Sequence, residues 1–272
     1  MGLSGRPAGH VLEAFGVVGE VVWLPGGQGQ AWGAGRVVVK PVGDLAETVW
    51  RAGVLDGLAG AGVRVARPVR ATSGEWVVEG WEASEFVEGA ADVRRADDEV
   101  RAGIAFHAAV AGLDRPEFLD RRDGAYDVAD RVAWGEVPVA ASEVAAELLG
   151  PLLEVWRPVE MVSQVVHGDL PGNVLFAEGD PPAVIDWAVY WRPAEWAAAV
   201  VVADALCWYG GEPALIERWA HLSSWDQMLV RALIYRIVIH DELFGAAGWT
   251  PDHVDAYRPV VELVVAFHKT AA

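Results

Sequence analysis

A short polar loop containing an aspartate interrupts an apolar stretch in the second half of the chain. Residues 165–176 read VVHGDLPGNVLF, so strand-forming residues lie on both sides of His167-Gly168-Asp169. In such a loop the carboxylate of Asp169 can accept a proton from an attacking hydroxyl group, and the amide oxygen of Asn173 can bind a metal ion. The alternative is a turn in which both side chains only satisfy backbone groups.

A second carboxylate follows the next apolar run, AVIDWA at residues 183–188. This is Asp186, seventeen residues beyond Asp169. We predict a β-hairpin over residues 174–185, which would return Asp186 beside Asn173. Phosphoryl transfer depends mainly on positioning and on neutralising charge, often through Mg²⁺ that bridges nucleotide phosphates. Asp169, Asn173 and Asp186 together therefore indicate a phosphoryl-transfer site that uses Mg²⁺.

Lys40 ends the run VVVK and needs a partner if its strand is an inner one. An unpaired buried ammonium group is costly, so we expect an anionic partner, either a phosphate or a carboxylate on the following helix. Glu47 is the helical candidate, and Asp44 is expected to cap that helix. The alternative is an edge strand whose lysine reaches solvent.

A glycine-rich stretch, PGGQGQAWGAG at residues 25–35, precedes the Lys40 strand. Glycines such as Gly27 and Gly29 let backbone N–H groups approach phosphates closely. The stretch runs into a strand, whereas a dinucleotide-binding turn leads into a helix and a Walker loop ends in Gly-Lys-Ser/Thr. It fits a hairpin folded over phosphates, with an ordinary flexible hairpin as the alternative.

The elements around these motifs change character along the chain. Residues 15–88 alternate Val- and Trp-rich runs with glycine clusters, which predicts strands and hairpins interrupted by one helix that begins after Asp44. From about residue 92 the pattern is helical, apart from the two strand-like runs around the polar loop. We therefore predict a sheet lobe over residues 1–88 and a helical lobe over residues 89–272.

Composition limits the partners. The net charge of −18 argues against nucleic acid and anionic membrane surfaces, both of which call for basic patches. No apolar run approaches the roughly 20 residues that span a bilayer, and the first residues lack the apolar core of a signal peptide. The single cysteine, Cys207, excludes an internal disulfide. We expect a soluble cytoplasmic protein.

The motifs together resemble the aminoglycoside phosphotransferase family. The resemblance rests on HGD…N, on IDW, on a lysine in the third strand and on the hinge-like EFVEG at residues 85–89, and it spans roughly residues 15–210. It implies an α+β, two-lobed protein-kinase-like fold with a small antiparallel-sheet N-lobe and a larger helical C-lobe. It also implies a small-molecule kinase that clamps ATP or GTP between these lobes.

The resemblance assigns a role to each motif. Asp169 becomes the catalytic base, His167 braces its loop, and Asn173 and Asp186 bind Mg²⁺; His107, on the preceding helix, is expected to be structural. Lys40 would contact the α- and β-phosphates and pair with Glu47. The nucleotide contacts that the resemblance implies are Gly27, Gly29, Lys40, Glu47 and backbone groups of Glu85 and Val87.

The sequence departs from the family pattern at the loop itself. Asn173 follows Asp169 by four residues, whereas the family has five. One residue moves a loop side chain by up to about 3.5 Å, while Mg²⁺ demands ligands at about 2.0–2.1 Å. Either Pro171-Gly172 makes a tighter turn or the second metal position is impaired. The family's GDP stretch is also replaced, here by WRPAEWA.

The acceptor is expected to be a hydroxylated small molecule, and a cationic one would suit the acidic chain. An acidic pocket for it and ordinary solvated helix faces both remain open. The candidate residues for that pocket are Glu217, Asp226, Asp241, Glu242, Asp252 and Asp255. Two other functions also stay open: a nucleotide-binding pseudokinase that serves as a regulator or scaffold, and a metal-dependent hydrolase built on His167, Asp169 and Asp186.

Overall fold

The computed structural model describes residues 5–17, 19–24, 31–59 and 62–271. The chain forms two compact units, and each is described by itself. The first comprises Met1–Ala90 and Leu175–Ile185, and the second comprises Ala91–Val174 and Asp186–Ala272. The division at residue 88 made from the sequence had left the later segment, Leu175–Ile185, in the helical lobe.

The first unit is built on antiparallel strands. Its elements are α1 (Gly9–Ala14), β1 (Val21–Leu24), β2 (Ala31–Ala34), β3 (Val37–Pro41), α2 (Leu45–Gly57), β4 (Arg64–Val65), β5 (Val77–Val78), β6 (Trp81–Glu85) and β7 (Ala90–Ala91). Among the described residues, one sheet has the strand order β1-β2-β3-β6-β5, with antiparallel neighbours. The strand and hairpin signals of this region are confirmed.

A small core explains why these strands form. β-Branched valines fill β3, and Val39 at its centre is fully buried together with Val11, Phe15 and Trp81. Helix α2 begins where predicted, because the Asp44 carboxylate accepts a hydrogen bond from the Glu47 N–H at 2.8 Å. The core thus holds β3, which carries Lys40, in the middle of the sheet.

The second unit is mainly helical. Its elements are α3 (Ala96–Val110), α4 (Ala125–Ala133), α5 (Glu143–Val155), β8 (Gln164–His167), β11 (Val189–Arg192), α6 (Ala194–Trp208), α7 (Ala214–Arg218), α8 (Trp225–Phe244) and α9 (Pro251–Ala271). Between β8 and β11 the chain forms β9 (Val174–Phe176) and β10 (Ala183–Val184), which lie almost wholly in the first unit and are neighbours in a second sheet of order β4-β10-β9-β7. The predicted hairpin over residues 174–185 is thus confirmed.

Helices α6 and α8 form the centre of the second unit. Alanines and valines of α6 are buried on every side of the helix, and the middle of α8 is equally buried. Helix α8 packs against α4, α6 and α5. The last part of the chain, for which the sequence predicted only a helical pattern, folds into α6 to α9. In the described ranges, no helix is both long and apolar enough to cross a membrane.

Candidate active site

The polar loop leaves a buried strand. β8 pairs with β11 in antiparallel register, His167 opposite Val189, and the preceding residues Val165 and Val166 are fully buried. The Gly168 N–H donates to the Ala188 carbonyl at 3.0 Å. A Cβ atom at position 168 would lie 2.4 Å from the Tyr190 ring, so only glycine fits there. Asp169 therefore follows a strand end whose position is set by the Ala188 carbonyl and by the Tyr190 ring.

His167 holds the backbone of the loop. It is fully buried, and its Nδ1 accepts a hydrogen bond from the Asp169 N–H at 3.1 Å. Its own N–H donates to Nε2 of His107 at 2.9 Å. Burial lowers the pKa of His107 to about 3, so that ring is neutral and can accept this bond. His167 thus makes the contact that a bracing role requires, and the buried His107 supports His167 from α3; their roles stay predictions.

Arg236 donates a hydrogen bond to one oxygen of the Asp169 carboxylate. Its Nη2 atom lies 2.8 Å from Oδ1 of Asp169, while Nε and Nη2 together bind the carboxylate of Asp204 at 2.9 and 2.6 Å. The Asp169 side chain is 45% exposed, whereas that of Asp204 is 8% exposed. One guanidinium group therefore links a buried carboxylate on α6 to the exposed carboxylate of the loop.

Burial and neighbouring charges shift the pKa values in this cluster in opposite directions. Burial raises the pKa of Asp204 although the Arg236 cation works in the opposite direction. Burial alone would lower the pKa of Arg236, but Asp204 and Asp169 hold it well above its ordinary value. Sequence reasoning missed both residues. A signal was present, because each interrupts an apolar helix and a charge in that position needs a partner.

The turn after Asp169 is tight. Gly172 has a φ of +79°, a value in the left-handed region, and the Asn173 N–H donates to the Leu170 carbonyl at 2.8 Å. The Asn173 side chain bends back, and its Nδ2 donates to the backbone oxygen of Asp169 at 2.7 Å. Because the amide nitrogen faces the loop, the atom that remains for a metal ion is Oδ1.

Glu99 supports this turn from α3. Its Oε1 accepts a hydrogen bond from the Gly172 N–H at 3.2 Å, and the side chain is 1% exposed. Burial raises its pKa to about 7, and the nearby Asp204 charge adds to the shift. The sequence did not single out Glu99, which lies in an acidic run at the start of the helix, where such residues are ordinary.

Asp186 occupies an unusual backbone conformation. Its φ is +49°, which is rare for a residue with a side chain. The next residue, Trp187, is buried, and its Nε1 donates to the Val166 carbonyl at 3.1 Å. The buried indole fixes the chain beside the β8 strand, so the exposed Asp186 carboxylate belongs to the same unit as Asp169.

The oxygen donors suit magnesium better than a transition metal. Asp186 offers a carboxylate and Asn173 an amide oxygen, and Mg²⁺ commonly takes one or two protein oxygens together with substrate phosphates and water. Within the described ranges, no group of three or more His, Cys, Asp or Glu side chains is gathered as a metal site.

Solved structures with this architecture include phosphotransferases. A spectinomycin phosphotransferase in complex with ADP and spectinomycin matches with a TM-score of 0.61 at 13% identity, covering 94% of this chain and 96% of that one. A thermostable mutant of an aminoglycoside phosphotransferase, in ternary complex with ADP and hygromycin B, matches with a TM-score of 0.60 at 17% identity, covering 94% and 97%. The chain has the aminoglycoside phosphotransferase fold.

The same fold extends to other small-molecule kinases. A choline kinase from Streptococcus pneumoniae matches with a TM-score of 0.59 at 13% identity, covering 94% of this chain and 96% of that chain. No protein-family model and no curated protein sequence matches this chain. The α+β fold class implied by the sequence resemblance is confirmed, and the identities show the fold alone.

Lys40 lies in β3 of the first unit. Lys40 is in register with Glu82 of β6. The Glu82 carboxylate binds Nη2 of Arg51 at 2.7 Å, and Nη1 of Arg51 lies 3.8 Å from Glu47. Glu47 thus lies in a charged cluster on the helix that follows Lys40, and its pairing with Lys40 stays a prediction.

Of the other predicted nucleotide contacts, the structure describes Glu85 and Val87. The Glu85 N–H donates to the Arg67 carbonyl at 2.7 Å, so Glu85 can offer only its carbonyl oxygen to a base. Val87 lies two residues further on, beyond the end of β6. Gly27 and Gly29 lie outside the described residues.

Two of the acidic acceptor candidates support the fold instead. Asp241 accepts hydrogen bonds from the Ser142 N–H and Oγ at 2.8 and 2.5 Å and from Trp249 at 2.8 Å. Asp226 lies 2.6 Å from Nδ1 of His268. The other four candidates are exposed: Glu217, Glu242, Asp252 and Asp255.

A cleft of about 490 Å³ lies in the second unit. It is lined by the start of α3, the end of α6 and the α6–α7 connection, and Val93 in its wall is near Gly172 of the loop. Tyr209, also in its wall, has its pKa raised first by burial and then by the charge of Asp204. The charged lining is mixed, with Arg94, Arg95, Arg101, Arg218, Asp97, Asp98 and Glu212.

Proposed function

We propose that this protein is a phosphotransferase that moves the γ-phosphoryl group of ATP or GTP to a hydroxyl group of a small molecule. The observation that carries the proposal is the Asp169 carboxylate, which is exposed at the end of a buried strand and is held by Arg236 through its Oδ1 atom. Such a carboxylate can accept a proton through its other oxygen.

The chemistry assigned to the loop is a single displacement. The acceptor oxygen attacks the γ-phosphorus and gives its proton to Asp169, while the bond from that phosphorus to the β-phosphate oxygen breaks and the nucleoside diphosphate leaves. His167 and Arg236 keep Asp169 in place, the former through the backbone and the latter through the carboxylate. The carboxylate later releases the proton to solvent.

Asn173 and Asp186 are the proposed magnesium ligands. Bound Mg²⁺ would neutralise charge on the nucleotide phosphates. The turn at Gly172 is the feature that supports Asn173 in this role despite the missing residue, since it directs the amide oxygen away from the loop backbone.

The nucleotide is proposed to be held by the residues that the resemblance implies. Lys40 would contact its phosphates, and Glu47 would orient Lys40. The base would meet the Glu85 carbonyl and the Val87 backbone, and Gly27 and Gly29 would cover the phosphates.

The proposed acceptor is a hydroxylated small molecule with a cationic amine. The neighbours with this fold were solved with spectinomycin or hygromycin B, or are named choline kinase. The net charge of −18 favours a cation over an anion.

The first test is binding followed by turnover. Saturating Mg-ATP or Mg-GTP should stabilise the fold by about 2.7 kcal/mol at one hundred times its Kd, measured as a thermal shift. Turnover is then measured with choline, spectinomycin, hygromycin B and simple amino alcohols, by following nucleoside diphosphate and the mass of the phosphorylated product. Failure of both Mg-nucleotides to bind would reject the proposal and favour the hydrolase alternative.

Asp186→Ala should reduce Mg²⁺-dependent turnover by about 100-fold or more, because a proposed metal ligand is lost. Asp114→Ala is the matched control, since Asp114 is an exposed aspartate of the same unit, in the connection that follows α3. Wild-type turnover in the Asp186 variant would contradict the assignment.

The one-residue-short loop favours a nucleotide-binding pseudokinase as the second candidate function. That protein would bind Mg-nucleotide, show no product with any acceptor and release no phosphate. If the protein is active, Asn173→Ala tests whether Asn173 holds a metal ion. Turnover should fall if both Asn173 and Asp186 hold metal positions, and it should not change if Asp186 holds the one protein-held position.

A further inference from the structure

The ion cluster of Asp204, Arg236 and Asp169 contains one contact more than charge balance requires. Nε and Nη2 of Arg236 form a two-pronged pair with Asp204 at 2.9 and 2.6 Å, and this pair is already neutral. The remaining hydrogen of Nη2 points to Oδ1 of Asp169 at 2.8 Å. Burial of the arginine therefore does not explain its third contact.

The guanidinium group cannot turn away from Asp169. Its plane is fixed by the fork on Asp204, which is 8% exposed and lies on α6, and its own side chain is 14% exposed on α8. Helices α6 and α8 pack against each other in the centre of the second unit. The donor facing Asp169 is thus mounted on two buried helices that pack against each other.

The target of that donor is more exposed. The Asp169 side chain is 45% exposed, and the loop positions its backbone but not its carboxylate. A carboxylate on such a loop would otherwise sample several rotamers in water. Contact with Arg236 at Oδ1 selects one of them and directs Oδ2 away from the arginine.

We infer that Arg236 is a positioning residue for Asp169, held by Asp204, and that it presents Oδ2 of Asp169 to the acceptor hydroxyl group. The inference rests on the proposed function. It assigns Arg236 no contact with nucleotide or acceptor, so its loss should lower kcat and leave the KM for Mg-ATP unchanged.

The decisive variant is Arg236→Met. With the best acceptor of the panel, or with water as acceptor in ATP hydrolysis, kcat should fall about 10- to 100-fold, because misplacing a reacting group by about 1 Å has an effect of this size. The KM for Mg-ATP should stay within about twofold. Adding guanidinium chloride at millimolar concentration should restore part of kcat, whereas sodium chloride should not.

Two further variants control for folding. Arg231→Met removes another buried arginine from α8, one that binds Gln227 and the Arg157 carbonyl and has no contact with Asp169, and it should retain kcat below its melting temperature. The double variant Asp204→Asn/Arg236→Met avoids leaving Asp204 buried without its cation. It should fold better than Arg236→Met and show the same loss of kcat.

The outcomes are distinguishable. Wild-type kcat in folded Arg236→Met or in the double variant overturns the inference and leaves the proposed function standing. An equal loss of kcat in Arg231→Met, or a rise in KM in place of a fall in kcat, also overturns it. No turnover in the wild-type protein, with any acceptor or with water, overturns the proposed function and the inference with it.

Discussion

At the scale of residues, the exposed active-site candidate Asp169 is supported by buried side chains. Asp169 is exposed, yet its support comes from side chains that are almost fully buried, namely His167, Asp204 and Glu99 through the adjoining turn. Sequence motifs identified the exposed members of this set. Among the buried ones, His167 belongs to the HGD motif, whereas Glu99 and Asp204 lie on α3 and α6 and carry no motif. The charge of Asp204 within an apolar helix marks it, but Glu99 stands in an ordinary acidic run.

Glu99 predicts a pH dependence of stability. Its pKa is about 7 in the folded protein and 4.5 ordinarily. Because the folded-state value is raised, its contribution is fully present below about pH 4.5 and is lost as pH rises through 7, a change of about 3 kcal/mol. Glu99→Gln keeps an oxygen for the Gly172 N–H and does not titrate, so the variant should gain stability over wild type between pH 5 and pH 8.

Urea unfolding of both proteins at pH 5 and pH 8 measures this difference. Glu154→Gln is the control, since Glu154 is exposed on α5. A difference between Glu99→Gln and wild type that is the same at both pH values would contradict the prediction.

At the scale of elements, the β8–β11 pair determines where the loop begins. Gly168 lies against the ring of Tyr190, which is itself buried between Trp196 and Tyr235 at centroid distances of 5.6 and 5.9 Å. The ring cannot retreat, because its hydroxyl group also accepts a 2.8 Å hydrogen bond from Tyr235. The short strands were predictable from alternating apolar residues, but this close approach was not.

Gly168→Ala should destabilise the protein by about 1–3 kcal/mol, because the added methyl group overpacks a closed site. It should also reduce turnover, since Asp169 is the next residue. Gly53→Ala is the matched control. Gly53 lies inside α2 with open space around it, so alanine there should stabilise by roughly 0.5–1 kcal/mol. Chemical denaturation compares the two, and equal effects would show that the Tyr190 contact does not matter.

At the scale of the whole molecule, the excess of negative charge is the dominant property. The chain carries 39 acidic and 21 basic residues. Many arginines are occupied by acidic partners, as in the Arg192 pairs with Asp130 and Glu136. The field that a diffusing acceptor meets is therefore negative, and this field acts over roughly 30 Å at 0.01 M salt but only about 8 Å at 0.15 M.

If the acceptor is cationic, raising the ionic strength from 0.01 to 0.15 M should lower its kcat/KM several-fold through KM. A neutral hydroxylated acceptor measured in the same buffers is the control and should show no such loss. Initial rates at fixed Mg-nucleotide give both values. A cationic acceptor whose kcat/KM is insensitive to salt would contradict a role for the net charge in substrate capture.

The sequence by itself determined the change from a strand-rich to a helical region, the loop that carries Asp169 and Asn173, and the hairpin that leads to Asp186, because these depend on local periodicity and on residues close together in the chain. Only the tertiary structure decided what holds that loop. Glu99, Asp204 and Arg236 lie on three helices and reach it from 73 residues before Gly172 or from 35 and 67 residues after Asp169. Contacts of this kind depend on how helices pack, which local pattern does not encode.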